Sequence, residues 1–334
     1  MSRKTLLITG GAGYIGSHAV VAFEEAGYKT VSIDNFSNAD RWVLSWITDI
    51  LWYEPDFYEG DIRERSFLEW IFERYTFDGV IHFAWWKSVA ESVSMPTHYH
   101  DNNIGGSMTL FSVMASHDVK KIVFSSSATI YDPTYWPEYY EDTPCAPTSP
   151  YGTTKYCIEQ LLTDLSHAYG WSVITLRYFN PIGAHPSGKI GERPQWTPNN
   201  LLPLILDVAY GIREKVYVFG DDYDTPDGTC GRDYIDISDL VEAHVSAYAR
   251  LFPWFLPVNI GTGETKSVLE MIDLVSCVTG RPIPYERTRR RPWDVSLYYA
   301  NTERAWDILS WKAKTSVAES IEKAWRFKHW LPRA

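Results

Sequence analysis

Cysteine is scarce and scattered. Four thiols, Cys145, Cys157, Cys230 and Cys277, are spread over 334 residues with no CxxC pair. That leaves no metal-ligand spacing, so no metal is expected, and no disulfide framework. Reduced thiols in a cytoplasmic protein are the simplest reading. Long apolar runs are missing as well. No stretch nears the ~18 residues needed to span a membrane, and the apolar run in MSRKTLLITGG is too short for a secretory leader. Basic charge is in deficit. Lys and Arg number 31 against 42 Asp and Glu, a net charge of −11, so neither nucleic acid nor an anionic membrane is expected as the main partner. The sequence carries no internal repeat and no low-complexity segment.

Alternation is what the chain has. Short apolar runs at 4–9, 29–34, 56–61, 79–84, 120–127 and 172–180 read as strands. Helical spacing of apolar residues fills the intervals: from Tyr14 to Gly27, over 66–75, over roughly 97–117, and from Tyr151 to about Tyr169. Strands apolar on both faces and separated by helices predict an α/β fold with a doubly wound parallel sheet. After Asn180 the elements shorten and Pro and Gly become frequent. We therefore expect a first domain over 1–180 and a smaller C-terminal substrate domain over 181–334, placed at the carboxyl edge where open α/β sheets bind ligands. The two should be interleaved, with the helical stretch near 235–251 returning to the first.

ITGGAGYIG follows the first strand and opens the first helix, with Gly10, Gly13 and Gly16 at three-residue spacing. A chain that must turn tightly, let backbone approach a pyrophosphate and pack helix on strand needs glycine at such positions. The free N–H groups of the helix start then face the phosphates. Asp34 ends the second strand, where a carboxylate holds the adenosine ribose hydroxyls and repels a 2′-phosphate, favouring NAD over NADP. This is the Rossmann fingerprint, with Asp61 of EGDIR expected near the adenine. SPYGTTK puts Tyr151 and Lys155 one turn apart on a helix face, a pair that by itself is common on helix surfaces.

The motifs TGGAGYIGSH, EGDIR, VIHFA, DNN, FSSSATIY, SPYGTTK, RYFNPIGAHPSG, PNNL and GRDYIDISDL together resemble the UDP-galactose (UDP-glucose) 4-epimerases of the extended short-chain dehydrogenase/reductase superfamily, from about residue 4 to 330. The resemblance implies reversible inversion at sugar C4 by transient oxidation with NAD. It makes Tyr151 the acid/base, Lys155 the ammonium beside it and a holder of the nicotinamide ribose, and Ser127 the relay at the sugar hydroxyl. A phenol of ordinary pKa near 10 needs such positive neighbours to ionise at neutral pH. The resemblance places Tyr14 and Ile15 at the pyrophosphate, Asn35 and Asn38 on the adenosine side, and Asp61 and Ile62 at the adenine. Phe83, Ala84, Lys87 and Asn102 should also touch the cofactor, with Tyr178 flanking the nicotinamide. For the UDP-sugar it implies Asn180, Asn200 and Asp294, with Arg232 and Arg291 clamping the diphosphate. Tyr298 matches a position that gates the C2 substituent, which favours galactose and glucose over N-acetylated sugars. A homodimer through the helices near 97–117 and 151–169 is likewise implied. SSSATIY lacks the Asp-Glu couple of the dehydratase relatives. Other readings are a UDP-N-acetylhexosamine or UDP-pentose 4-epimerase, or a catalytically weakened NAD-binding protein.

The chain also departs from that pattern. It has 15 tryptophans. Trp85 and Trp86 replace small residues, Trp196 and Trp293 replace glycine, Asp132 replaces glycine and Asp236 replaces histidine. Large-for-small changes in a packed site are expected to cost ~1–3 kcal/mol, and more where φ is positive. Trp85 is expected to crowd the nicotinamide side.

Overall fold

The computed structural model describes residues 3–135, 137–193, 200–291 and 295–331. Seven parallel strands form the main sheet, in the spatial order Phe255–Ile260, Ser172–Tyr178, Lys121–Ser127, Gly79–His82, Thr5–Thr9, Lys29–Asp34, Asp56–Glu59. Alternate side chains of each strand enter opposite cores. Leu6 and Ile8 pack beneath the Tyr14–Glu25 and Ile237–Ala249 helices, whereas Leu7, Val31 and Ile33 face the Arg65–Arg74, Gly106–Ser116 and Pro150–Tyr169 helices. Both faces are thus covered, which is why the strands read as continuous apolar runs.

Strand order reverses between Thr5–Thr9 and Gly79–His82, with later strands added on one side and earlier ones on the other. The carboxyl ends beside that switch point carry Gly10, Asp34, Phe83, Ser127 and Tyr178. An open sheet leaves its ligand crevice there. Over this edge sit a third core, built from the Leu201–Tyr210, Val268–Thr279 and Val317–Trp330 helices, and a four-stranded sheet ordered Lys266–Ser267, Gly231–Arg232, Leu297–Ala300, Glu138–Tyr139. The Ile237–Ala249 helix packs on the first helix, and its Tyr248 hydroxyl donates to the Asp78 carbonyl at 3.1 Å.

Several elements differ from the sequence reading, among them the helix Trp42–Leu51, which that reading does not place. The edge strand Phe255–Ile260 contains Pro257, which a ladder tolerates at an edge but which masks the strand in the sequence. The single helix expected near 97–117 is three pieces: Pro96–His100, a π-helical turn at Asp101–Gly105, and Gly106–Ser116. Gly106 abuts Ile62, whose Cδ1 would lie 2.6 Å from a Cβ there. The wide turn carries Asn102 and Asn103 inward, both buried.

Burial holds four histidines neutral. Desolvation lowers His18 to about 3, His185 and His244 to about 4, and His82 well below the usual value, all from 6.5. A group with a depressed folded pKa that is neutral above it stabilises fully above pH 6.5 and loses that contribution as pH falls toward the folded value. Melting temperature should fall between pH 7 and pH 5, with uptake of nearly four protons on unfolding at pH 5. Scanning calorimetry across that range checks it; a flat profile would contradict it.

Candidate active site

The crevice begins at the glycine loop. Gly10 has φ +71°, and a Cβ there would meet the Phe83 carbonyl at 2.7 Å. A Cβ on Gly16 would sit 2.0 Å from the Gly10 carbonyl oxygen. Both glycines are therefore required by close backbone packing. Gly13 is the N-cap of the Tyr14–Glu25 helix, with extended backbone and no side-chain cap, so the helix start has free N–H groups for an anion. The Asp34 carboxylate accepts from Ala12 N at 3.0 Å and Phe36 N at 2.8 Å, tying the loop to the second strand. Burial raises its pKa, against these backbone bonds.

One continuous cavity runs from this loop along Tyr14, Ile15, Asn35, Asn38 and Ile62 to Phe83, Ala84, Lys87, Asn102, Tyr178 and the 125–129 segment. Asp61 is turned aside from it. Burial would raise the Asp61 pKa, but Arg63 donates to both of its oxygens, at 3.0 and 2.8 Å, and the net shift is downward. Asn35 donates to it at 2.9 Å. It reaches the cleft only through that amide.

At the far end stand Ser127, Tyr151 and Lys155. Ser127 closes the fifth strand in sequence order. Its Oγ accepts from Thr129 N at 3.2 Å and Thr129 Oγ1 at 3.0 Å. Tyr151 and Lys155 lie on the Pro150–Tyr169 helix, started by the Ser149 cap with Pro150 at its first position and stopped by Gly170 at φ 66°. Thr154 Oγ1 accepts from Asn103 at 3.0 Å, pinning this helix to the π-helical turn. Burial pushes the Tyr151 phenol up to about 12, against a hydrogen bond to Ser127 that lowers it. Lys155 is 1% exposed. Burial lowers its pKa well below the usual value, with Glu159 pulling the other way. Its Nζ donates to the Ser125 carbonyl and lies 5.8 Å from the Tyr151 ring centroid.

A second cavity opens from the first, sharing Lys87, Thr129, Asn180, Asn200 and Tyr298, and extends to Phe219, Arg232 and Arg291. Asn180 donates to the Asp233 carbonyl at 3.1 Å. Arg232 lies over the Tyr298 ring at 4.7 Å, and Arg291 over Phe219 at 4.1 Å. Tyr298 also stacks on Tyr139 at 5.8 Å, a packing that fixes its ring. Asp294, Trp196 and Trp293 lie outside the described residues.

Glu192 was not foreseen. Its Oε1 accepts from Lys87 Nζ at 2.8 Å and from Asn200 Nδ2 at 2.6 Å, joining the two cavities. Nothing in GERPQ marks it, because its partners are remote in sequence.

The substitutions at Trp85, Trp86, Asp132 and Asp236 fit without backbone strain. Among the described non-glycine residues, positive φ occurs only at Phe36, Trp52, Asp118 and Ser310, so Trp85, Trp86 and Asp132 are not forced into a glycine conformation. Asp132 accepts from Thr134 N and Oγ1 in a tight turn, at 2.8 and 2.7 Å. Asp236 caps the Ile237–Ala249 helix by accepting from Ser238 N at 2.8 Å and pairs with Lys323 at 2.6 Å. Trp86 packs edge-on against Tyr99 at 5.6 Å. Trp85 lines the same cavity and stands beside Lys155.

Residues 6–261 match the family model described as the NAD dependent epimerase/dehydratase family. The chain is 46% identical over 330 residues to a UDP-glucose 4-epimerase of Yersinia enterocolitica, covering 98% of each, and 44% identical over 326 residues to one of Bacillus subtilis, covering 97% and 96%. It superposes with a TM-score of 0.94, at 41% identity and 98% coverage of both chains, on the UDP-glucose 4-epimerase of Bifidobacterium longum in complex with NAD+ and UDP. The Stenotrophomonas maltophila UDP-glucose-4-epimerase, with bound NAD and formylated UDP-arabinopyranose, gives 0.95 at 41% identity, again over 98% of both chains.

Proposed function

The chain belongs to the NAD dependent epimerase/dehydratase family, and from that premise we propose that it interconverts UDP-galactose and UDP-glucose by transient oxidation at sugar C4. It is an NAD-dependent epimerase. One observation carries the reading: Ser127, Tyr151 and Lys155 converge where the glycine-loop cavity meets a second cavity bearing asparagines and arginines. The bare loop at Gly10, Gly13 and Gly16, the uncapped helix start and Asp34 fit NAD. Gly10, Gly13, Tyr14, Ile15 and Gly16 would hold its phosphates. Asp34, Asn35, Asn38 and Ile62 would hold its adenosine, with Asp61 behind Asn35. Phe83, Ala84, Lys87, Asn102, Lys155 and Tyr178 would hold the nicotinamide half.

When bound, NAD supplies the hydride acceptor and a positive ring. Tyr151 takes the C4 hydroxyl proton and returns it. Ser127 holds that oxygen by hydrogen bond and relays the proton. Lys155 offers an ammonium that favours phenolate over phenol. Asn180 and Asn200 orient the sugar nucleotide, and Arg232 and Arg291 neutralise its diphosphate. Turnover of UDP-galactose to UDP-glucose by the purified protein, without and with added NAD+, tests this. Turnover without addition means a retained cofactor. No turnover in either case, with no nicotinamide released on denaturation, contradicts it.

Tyr298, held by Tyr139 and Arg232, narrows the substrate cavity and supports non-acetylated sugars. Tyr298→Ser should raise the relative kcat/KM for UDP-N-acetylglucosamine by about 10–200-fold. A substrate panel measures it, and an unchanged ratio would remove Tyr298 as the gate. We also read the chain as a dinucleotide domain over 1–180 and an interleaved UDP-sugar domain over 181–334, acting as a cytoplasmic homodimer. Met108 and Cys157 lie exposed on the two helices that would pair. Light scattering in solution checks the dimer.

A further inference from the structure

We propose that Trp85 is a positioning residue for the acid–base pair: its indole face seats the buried Lys155 ammonium and helps to keep it protonated. The proposal rests on the assignment of Tyr151 and Lys155 made above. Lys155 Nζ lies 3.7 Å from the centroid of the Trp85 ring and 5.1 Å from that of Phe124. A cation this close to a desolvated indole face is attracted by the ring quadrupole. The indole is itself fixed. Its Nε1 donates to the His82 carbonyl at 3.2 Å, and its ring lies 4.3 Å from His82 and 4.8 Å from Phe124.

The surroundings give the ammonium little other support. An ammonium has three donors, and the carbonyl of Ser125 takes one. From the Gly79–His82 strand comes His82, buried and held neutral by desolvation and by Lys155. From its own helix come Tyr151, and Glu159 one turn further on. Glu159 is already committed to Arg177 at 2.6 Å. From the Ser172–Tyr178 strand comes Tyr178, whose hydroxyl pairs with His244. Burial works against the charged lysine. Of the aromatic rings around the ammonium, the Trp85 indole is the nearest, at 3.7 Å against 5.1 Å for Phe124 and 5.8 Å for Tyr151.

Protein labelled with 5-fluorotryptophan and studied as purified gives a direct test. The fluorine resonance missing from W85F belongs to Trp85, and the dispersion of the remaining signals reports folding. The Trp85 resonance should differ between wild type and K155M. In wild type it should titrate at alkaline pH as the lysine loses its proton, and in K155M that titration should be gone. In parallel, W85F keeps an aromatic face and W85L does not. The basic limb of the kcat–pH profile should move toward lower pH by about one unit in W85L relative to W85F, with W85F close to wild type. A Trp85 resonance indifferent to K155M, or coincident profiles for W85F and W85L, would overturn the proposal. Full turnover by Y151F and K155M would instead overturn the catalytic assignment beneath it, a result the fluorine titration does not depend on.

Discussion

Replacing Tyr151 with Phe lowers kcat by about 10²–10⁴-fold, the usual worth of a positioned acid–base group. The substitution removes one oxygen and keeps the ring, so packing against the cavity wall is preserved and the melting temperature should stay near that of wild type. KM for the UDP-sugar should change little, because in the proposed reading the asparagines and arginines lining the second cavity would hold the sugar nucleotide. Burial holds the phenol at about 12 in the protein alone. At neutral pH the proton therefore stays on Tyr151 until positive charge gathers near it. Ser127→Ala should cost less, because Ser127 holds the hydroxyl rather than storing the proton. Steady-state kinetics on the two variants separates them. A Tyr151→Phe protein that keeps more than about a tenth of wild-type kcat would remove Tyr151 from the chemistry.

Arg177→Met destabilises the fold by about 3–5 kcal/mol, because it strands a buried carboxylate. Glu159 is 1% exposed and pairs with Arg177 through two bonds, at 3.1 and 2.6 Å. The same guanidinium donates to the Tyr131 hydroxyl at 3.0 Å and the Glu141 carbonyl at 2.9 Å. Tyr131 donates in turn to Asn259. The pair ties the helix of Tyr151 and Lys155 to the strand that ends at Tyr178. Loss of Arg177 should thus cost activity as well as stability. Replacing both charges with apolar residues should cost less than either alone, since no unpaired charge remains. Urea unfolding of both single variants and the double variant measures this. A single-variant loss below about 1 kcal/mol would contradict it.

Much of the site was legible because its residues sit at ends of regular elements. Gly10, Gly13, Gly16 and Asp34 follow strands whose apolar runs are plain in the sequence, and Tyr151 and Lys155 follow a Ser-Pro helix start. The parallel sheet was readable for the same reason, except at Phe255–Ile260, where Pro257 disguises an edge strand. Other features depend on contacts between remote segments. Glu192 meets Lys87 across 105 positions, and Asn103 holds Thr154 across 51. The π-helical turn that aims Asn102 inward arises from packing around Gly106 and Ile62, which periodicity does not reveal. In the sequence Trp85 reads as a residue that crowds the nicotinamide side. What its sequence position did not show is that the ring lies against the ammonium of Lys155.

The fate of the hydrogen on C4 tests transient oxidation at that carbon most directly. UDP-galactose carrying deuterium at C4 would be converted in ordinary water and the UDP-glucose examined by mass spectrometry and proton NMR. The product should keep its deuterium at C4, because the hydrogen leaves and returns as a hydride, which stays bound to carbon throughout and does not exchange with water. Replacement of that deuterium by solvent hydrogen during turnover would contradict it.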